Sequence, residues 1–478
     1  MGDQVEEKPF TLWTAMGLGH SITNTAITIT VGLASGIAMG GPPLFFYGFI
    51  MMALVALCVA VSLGELASGL PHSGGQYFWV ATLAPPGMRR FCSYITAIVA
   101  WAGAVCTGAS VCLAVPIMVF NMVALQHPDF NYKPWMGFVG YQVTNLLAFG
   151  FNLFERLLPW VSKTLLAYTI ATLIVIFVGV LAASKEKQSA EGFFTQLYNI
   201  SGWPDGVAFL IGLNSSNWAF SCLDAVVHLA DEIPQPRKNI PKALLITVAL
   251  GSVTGILIIL ALLFSAPDLE VVATAVTPSL QIFYSAFNNS TAAAIGLQAI
   301  VAASAAGAII GIHTWQSRMA WAFSRDKGFP FHTYLSQIAP EPFGTPIWAH
   351  VWSCAWTAIL GCLYLGSTLA FNSLVAGGIL LQYLTYSASI GCLLWHGRAN
   401  FQHGPFWFPR AGYVANITTI IWTVISLVMY SFPSFLPAEA DQMNYVSCVI
   451  VGVFLFAVGY WVLYGRKEFE TPQPQDYE

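Results

Sequence analysis

Asp224 is the side chain whose chemistry most needs explaining. It lies in a long apolar stretch, seven residues before Asp231; of the 22 carboxylates only Glu65, near the end of another such stretch, is comparable. A carboxylate inside an apolar layer is costly unless it is paired, protonated or functional. Three roles are open to Asp224: counter-charge for a cationic ligand, proton carrier, or half of a structural ion pair. Arg318, at similar depth in its own stretch, offers the cation for the third. His20, His228 and His313 are also surrounded by apolar residues. Each ring either titrates near neutral pH or serves as a hydrogen-bonded packing residue. Trp101, Trp218, Phe220, Trp315, Tyr383 and Tyr386 add aromatic faces. Such faces attract ammonium groups, and they also simply pack. The nine cysteines form no CxxC pair. No metal site, disulfide framework or cofactor is expected from that spacing. An enzyme would need a nucleophile and base, or a ligand cluster, at one depth. The scattered histidines and single deep aspartate supply neither.

The elements that must hold these residues are set by composition. The 478 residues are 56% hydrophobic and 8% charged, with mean hydropathy +0.67. A soluble domain is roughly 25% charged, so this chain reads as an all-α polytopic membrane protein surrounded by lipid. The net charge of −4 argues against a nucleic-acid partner. Apolar segments near 10–37, 43–67, 91–122, 136–154, 160–183, 206–230, 241–265, 292–321, 346–366, 372–395, 412–432 and 443–464 predict twelve spans. Met1 to Pro9 is an acidic, polar tail and not a cleavable signal. With both termini inside, the inner side holds fifteen of the 18 Lys and Arg, leaving Lys133, Lys185 and Lys187 outside. That asymmetry predicts cytoplasmic termini.

Two spans carry interruptions. Span one contains Gly17-Leu18-Gly19-His20-Ser21-Ile22-Thr23-Asn24; span six contains the run from Asn214 to Asp224, including Ser215, Ser216, Asn217, Trp218, Phe220 and Ser221. Matched interruptions in two halves of a chain are the pointer to discontinuous helices in inverted-repeat transporters. Backbone groups freed there must face a cavity, a ligand or an ion. The small residues would also serve close helix packing.

Three motifs in inner connections narrow the reading. Ser62-Leu63-Gly64-Glu65-Leu66-Ala67-Ser68 precedes Pro71-His72-Ser73-Gly74-Gly75-Gln76-Tyr77. Asp231-Glu232-Ile233-Pro234 precedes Pro236-Arg237-Lys238-Asn239-Ile240-Pro241. Trp321-Ala322-Phe323-Ser324-Arg325-Asp326 is followed by Phe329-Pro330. Together they resemble the signatures of amino acid–polyamine–organocation permeases. Phe220-Ser221-Cys222-Leu223-Asp224, the run His313 to Arg318 and His403-Gly404-Pro405-Phe406-Trp407 are similar to the fungal choline permeases of the amino acid/choline branch. The resemblance covers about residues 10 to 468.

It implies a five-plus-five inverted repeat (10–184 and 206–395), two additional helices (412–464) and tails at 1–9 and 465–478. It implies alternating access around a site between helices one, three, six, eight and ten. The substrate-binding candidates are Gly19, His20, Ser21, Asn24, Trp101, Trp218, Phe220, Ser221, Asp224, His313, Trp315 and Tyr383. By motif, Trp218 matches an aromatic that stacks on substrate, Asp224 a helix-six acid linked to proton coupling, and His313 a position close to substrate. Asp224, Glu65 and Arg318 are the coupling and gating candidates, with Asp231, Glu232 and Arg325 in inner-gate ion pairs. Gly19-His20-Ser21 departs from the Gly-Ser-Gly type that holds an amino acid carboxylate. Leu165 to Ala182 has no Lys to replace a sodium ion. The expectation is a plasma-membrane symporter importing choline or a related cationic amine with protons. GABA or another amino acid is the alternative substrate. Ala303-Ala305-Ala306-Gly307 suits packing within one chain or a dimer face, and no oligomeric state is assigned.

Overall fold

A computed structural model describes residues 11–439 and 443–473. The expected tail 1–9, with Lys8, and the last five residues of the expected C-terminal tail lie outside them. Among the described residues the chain is helical throughout. The only extended pairing among the described residues is an isolated bridge between Met39 and Asn199.

All twelve expected spans are present. Three, seven and eight are long continuous helices, Arg89–Gln126, Pro236–Phe264 and Thr291–Arg325. Nine helices among the described residues are long and apolar enough to cross a membrane. Spans one, four and six are the others. Span four is Pro134–Phe151, which carries Tyr141, Gln142, Thr144 and Asn145. Spans one and six fall short because each is divided. Span one is Leu12–Thr23 and Thr25–Gly36. Span six is Asp205–Trp218 followed, after a turn, by a 3₁₀ helix over Leu223–Leu229.

Span two packs on span seven, three on eight, and four on nine, while the second half of span one packs on span six. Each of these contacts joins a helix to its counterpart five positions later, as an axis exchanging two five-helix halves requires. Span eleven, Ala411–Met429, lies against spans two and ten. Span twelve, from Val446, lies against three and ten. Leu146, Leu147, Val178, Leu455 and Leu463 stand exposed around the outside. In water such a surface would aggregate; in lipid it is solvated. Spans three and ten approach closely because both are glycine at the contact. A Cβ on Gly103 would lie 3.2 Å from the Gly378 carbonyl oxygen.

Candidate functional site

The break in span one lies later than the glycine run suggests. Gly17 through Thr23 are helical, so Gly19, His20 and Ser21 sit within the first half-helix, and the chain turns at Asn24 alone. Asn24 is left-handed (φ 40°, ψ 50°), a conformation that asparagine tolerates better than most residues. Its N–H donates to the His20 carbonyl at 2.7 Å. Its Nδ2 donates to the Ser304 hydroxyl on span eight at 3.1 Å. Thr28 Oγ1 donates to the carbonyl of Thr23, at the end of the first half-helix (2.9 Å). The two breaks touch: Thr25 Oγ1 donates to the Ala219 carbonyl, just past the end of the first half of span six (2.9 Å).

In span six the turn ends at Cys222, also left-handed (φ 65°). Its N–H donates to Gln382 Oε1 on span ten at 3.0 Å, and Gln382 Nε2 donates to Thr107 on span three at 3.1 Å. Tyr383 donates to Asn217 Oδ1 at 2.8 Å. Spans one, three, six, eight and ten therefore meet around the two breaks. Asn24 Oδ1 is buried at the first break without a partner, and Asn217 Nδ2 at the second lies beside the Tyr430 hydroxyl. An unpaired buried acceptor is costly unless something bonds it. Trp218 and Ser221 keep partial accessibility between buried neighbours, and Phe220 is buried against Phe49 with ring centroids 5.1 Å apart.

Asp224 follows immediately, at the start of the 3₁₀ segment. Its Oδ2 accepts from Gln76 Nε2 at 2.7 Å and its Oδ1 from the Tyr386 hydroxyl at 2.6 Å. His228 Nε2 is 3.3 Å from Oδ2. The structural pair with Arg318 is overturned, because Arg318 binds Glu232 through Nε and Nη2 at 2.8 and 3.3 Å.

The motif connections are joined to one another at one end of the bundle by polar contacts. Arg325 pairs with Asp231 at 3.0 Å and donates to Ser73 Oγ at 2.6 Å; Ser73 Oγ donates in turn to Asp231 at 2.9 Å. Tyr77 donates to Asp326 at 2.8 Å. Burial pushes the Asp326 carboxyl up to about 7, and burial, aided by the Arg325 charge, lowers His72 to about 4. Glu65 is not in this set. It takes a bidentate grip from Arg398 at 2.7 and 3.0 Å and accepts the Phe408 N–H at 2.8 Å. Glu65 thereby ties span two to the connection between spans ten and eleven.

Several candidates lie elsewhere. Both ring nitrogens of His20 are buried without a partner, one turn before the break. Trp101 packs among Phe329, Trp352 and Trp356 and donates to Ser353 at 3.1 Å, which occupies it in a scaffold cluster. Trp315 is buried with its indole N–H unpaired. His313 faces span nine, and here the expectation of no converging ligands is corrected. His313, His350 and Cys354 bring their ligand atoms within 4.8 Å of one another. Cys354 Sγ is 3.4 Å from His313 Nδ1 and 3.5 Å from His350 Nδ1, while His350 Nε2 donates to the Phe149 carbonyl at 3.2 Å. The charge of Arg318 already bears on His350. A divalent ion on one thiolate would add a net positive charge beside it in a dry interior. A thiol shared between two imidazoles accounts for the contacts without that cost. Gln76, Ser73, Gln382, Thr25 and Ser304 were not singled out from sequence. Gln76 and Ser73 stood within a quoted motif, but nothing along the chain points them at span six.

The amino acid permease family profile matches residues 10–455. The chain belongs to the amino acid permease family. This permease is 48% identical to a transmembrane transporter of Metarhizium robertsii, over 97% of this chain and 93% of the relative. It is 46% identical to a swainsonine transporter of Arthroderma benhamiae, over 97% and 92%. It is 40% identical to the choline transporter of Saccharomyces cerevisiae, over 98% and 84%. The permease is therefore a multi-pass membrane transporter and not an enzyme, and its ligand is a small molecule.

Proposed function

We propose that this permease is a secondary active, proton-coupled importer of small hydroxylated amines in the plasma membrane, choline and swainsonine-like alkaloids among them. Choline is a quaternary ammonium alcohol, and swainsonine is a polyhydroxylated cyclic amine. Both are cations or become cations on protonation, and both carry hydroxyl groups. Two five-helix repeats, 10–184 and 206–395, alternate around the breaks, with 412–464 as the added pair. The motif-bearing end with its ion pairs is the cytoplasmic gate, and in this conformation it is shut.

The observation that carries this reading is the meeting of the two breaks. The C-terminal ends of Leu12–Thr23 and Asp205–Trp218 come together where Thr25 bonds Ala219. Helix C-termini carry partial negative charge and favour a cation. Trp218, partly accessible at the break, is the aromatic face for the ammonium, and Asn24 Oδ1 is free to bond a hydroxyl. Asp224 is the proton carrier in this reading and not the counter-charge, because it is buried past the break among Gln76, Tyr386 and His228.

The test is uptake of labelled choline by transporter-deficient cells at acid and neutral pH, with swainsonine, GABA and betaine as competitors. Saturable uptake that is faster at acid pH, blocked by swainsonine and indifferent to GABA, is expected. Competition by GABA with no choline uptake would replace this reading with amino acid import.

A further inference from the structure

The helix that follows the second break brings two titratable side chains face to face. His228 Nδ1 lies 2.8 Å from the carbonyl oxygen of Ser73. A carbonyl only accepts, so Nδ1 carries a hydrogen. In a neutral ring that leaves Nε2 with a lone pair, and Nε2 lies 3.3 Å from Asp224 Oδ2. An ionised carboxylate offers lone pairs only. Neutral His228 and ionised Asp224 would therefore set acceptor against acceptor, with both side chains no more than 2% exposed. One proton must lie between them, as carboxylic acid with imidazole or as carboxylate with imidazolium.

The surroundings hold the pair and do not replace that proton. Gln76, from the short helix after the gate loop (residues 71–75), and Tyr386, from span ten, donate to the carboxyl group. The Cys222 thiol lies close enough to feel the Asp224 charge, and His72 close enough to feel that of His228. Arg325, a cation of the gate, is held by Asp231 and by Ser73 Oγ.

Ser73 is shared between the two systems. Its carbonyl takes the His228 proton donor, while its hydroxyl bridges Arg325 and Asp231. Gly75, in the same loop, is left-handed (φ 53°), and a Cβ there would lie 2.9 Å from His228 Cε1. The loop is thus seated directly on the imidazole.

We infer that Asp224 and His228 together bind one exchangeable proton, and that His228 is the positioning residue that ties this proton to closure of the gate loop through Ser73. When the proton leaves, two lone pairs face each other. The ring must turn, and turning gives up the Ser73 carbonyl. The shut gate therefore binds the proton more tightly than the open one, by linkage. A carrier driven by external protons needs that difference: tight binding while it faces outside and release once it opens inside. This inference rests on the proposed proton coupling, but the pair can be examined without any substrate.

The first experiment is infrared difference spectroscopy of the purified protein across a pH titration. A titrating band of the pair is expected, of carboxylic acid or of carboxylate with imidazolium, that disappears in Asp224→Asn and changes frequency and midpoint in His228→Asn. Asparagine keeps a donor where Nδ1 was and removes Nε2, so the loop stays seated while the shared proton loses a partner. No titrating band sensitive to both substitutions would overturn the inference. The second experiment is choline flux in proteoliposomes. His228→Asn is expected to move the pH dependence of uptake in step with the infrared midpoint, because Asp224 still titrates but has lost its partner. His228→Gln, which loses the Ser73 donor, should in addition speed amide hydrogen exchange across the loop 71–75. A native pH profile in both variants would also overturn it. Absence of choline flux in the native protein would count against the proposed substrate and leave the infrared result standing alone.

Discussion

Spans one and six are both divided at mid-length, but they resume differently. Span one turns at a single residue, Asn24, and an α-helix continues from Thr25. Span six turns over several residues and resumes as a 3₁₀ helix carrying Asp224 and His228. The first is a joint; its polar groups bond to nearby backbone and to Ser304. The second is a re-entry; its polar groups reach the gate loop and span ten. Recognition can be shared between the two breaks, but the paired carboxylate and imidazole stand on span six.

The largest expected effect separates these roles. Asp224→Asn keeps the shape and removes the ionisable group. Hydrogen bonds to a charged group are worth about 1.5–3 kcal/mol, so concentrative uptake should fall by roughly ten- to 150-fold at normal surface expression. Uptake that kept its size and pH dependence would return Asp224 to a packing role. Trp218→Ala comes next. A desolvated cation–π contact is worth about 2 kcal/mol, which predicts a KM for choline raised by about 30-fold. Trp101→Phe, in the scaffold cluster, should leave KM near its native value. Equal effects would mean that the cluster opens onto the ligand.

Asn24→Ala tests the joint. Alanine in the left-handed region costs about 1–2 kcal/mol, and the bond to Ser304 is lost as well. Thermal stability should drop, and Asn24→Gly should restore most of the loss, since glycine adopts that backbone freely. Thr25→Val removes the contact between the breaks. A cost near 1 kcal/mol is expected, seen as a small fall in melting temperature and a weaker effect of ligand on it.

The smallest effect is a slope. Asp326 titrates near 7 in the folded protein because of burial. Its carboxyl is raised above the unfolded value, so the stability it lends is complete at acid pH. That stability fades as pH climbs from about 4 through about 7. Burial depresses His72 to about 4, so its contribution is complete above its ordinary value near 6.5 and is lost on acidification. Asp326→Asn should flatten the decline of melting temperature towards neutral pH and leave the acid-side loss in place.

Composition and apolar spacing alone determined the twelve spans and the all-helical class, because lipid leaves the backbone no other way to satisfy itself. Glycine and polar runs likewise announced that spans one and six are interrupted. The exact break in span one was not legible, since helix propensity does not say which of Gly17 to Asn24 will turn; contacts to Ser304 and Ala219 fix it at Asn24. Arg318 could be paired on paper with Asp224 because both looked equally deep. Only packing shows that it reaches Glu232, and that Glu65 is taken by Arg398. The surroundings of Asp224 come from Gln76 and Tyr386, 148 and 162 residues away along the chain. His228, four residues on, was visible as a neighbour, but the tautomer that makes it a proton partner depends on Ser73, 155 residues away. Hydropathy is a local property of the chain and survives in its sequence. The state of a buried proton depends on which lone pairs meet, and that is decided only when distant helices come together.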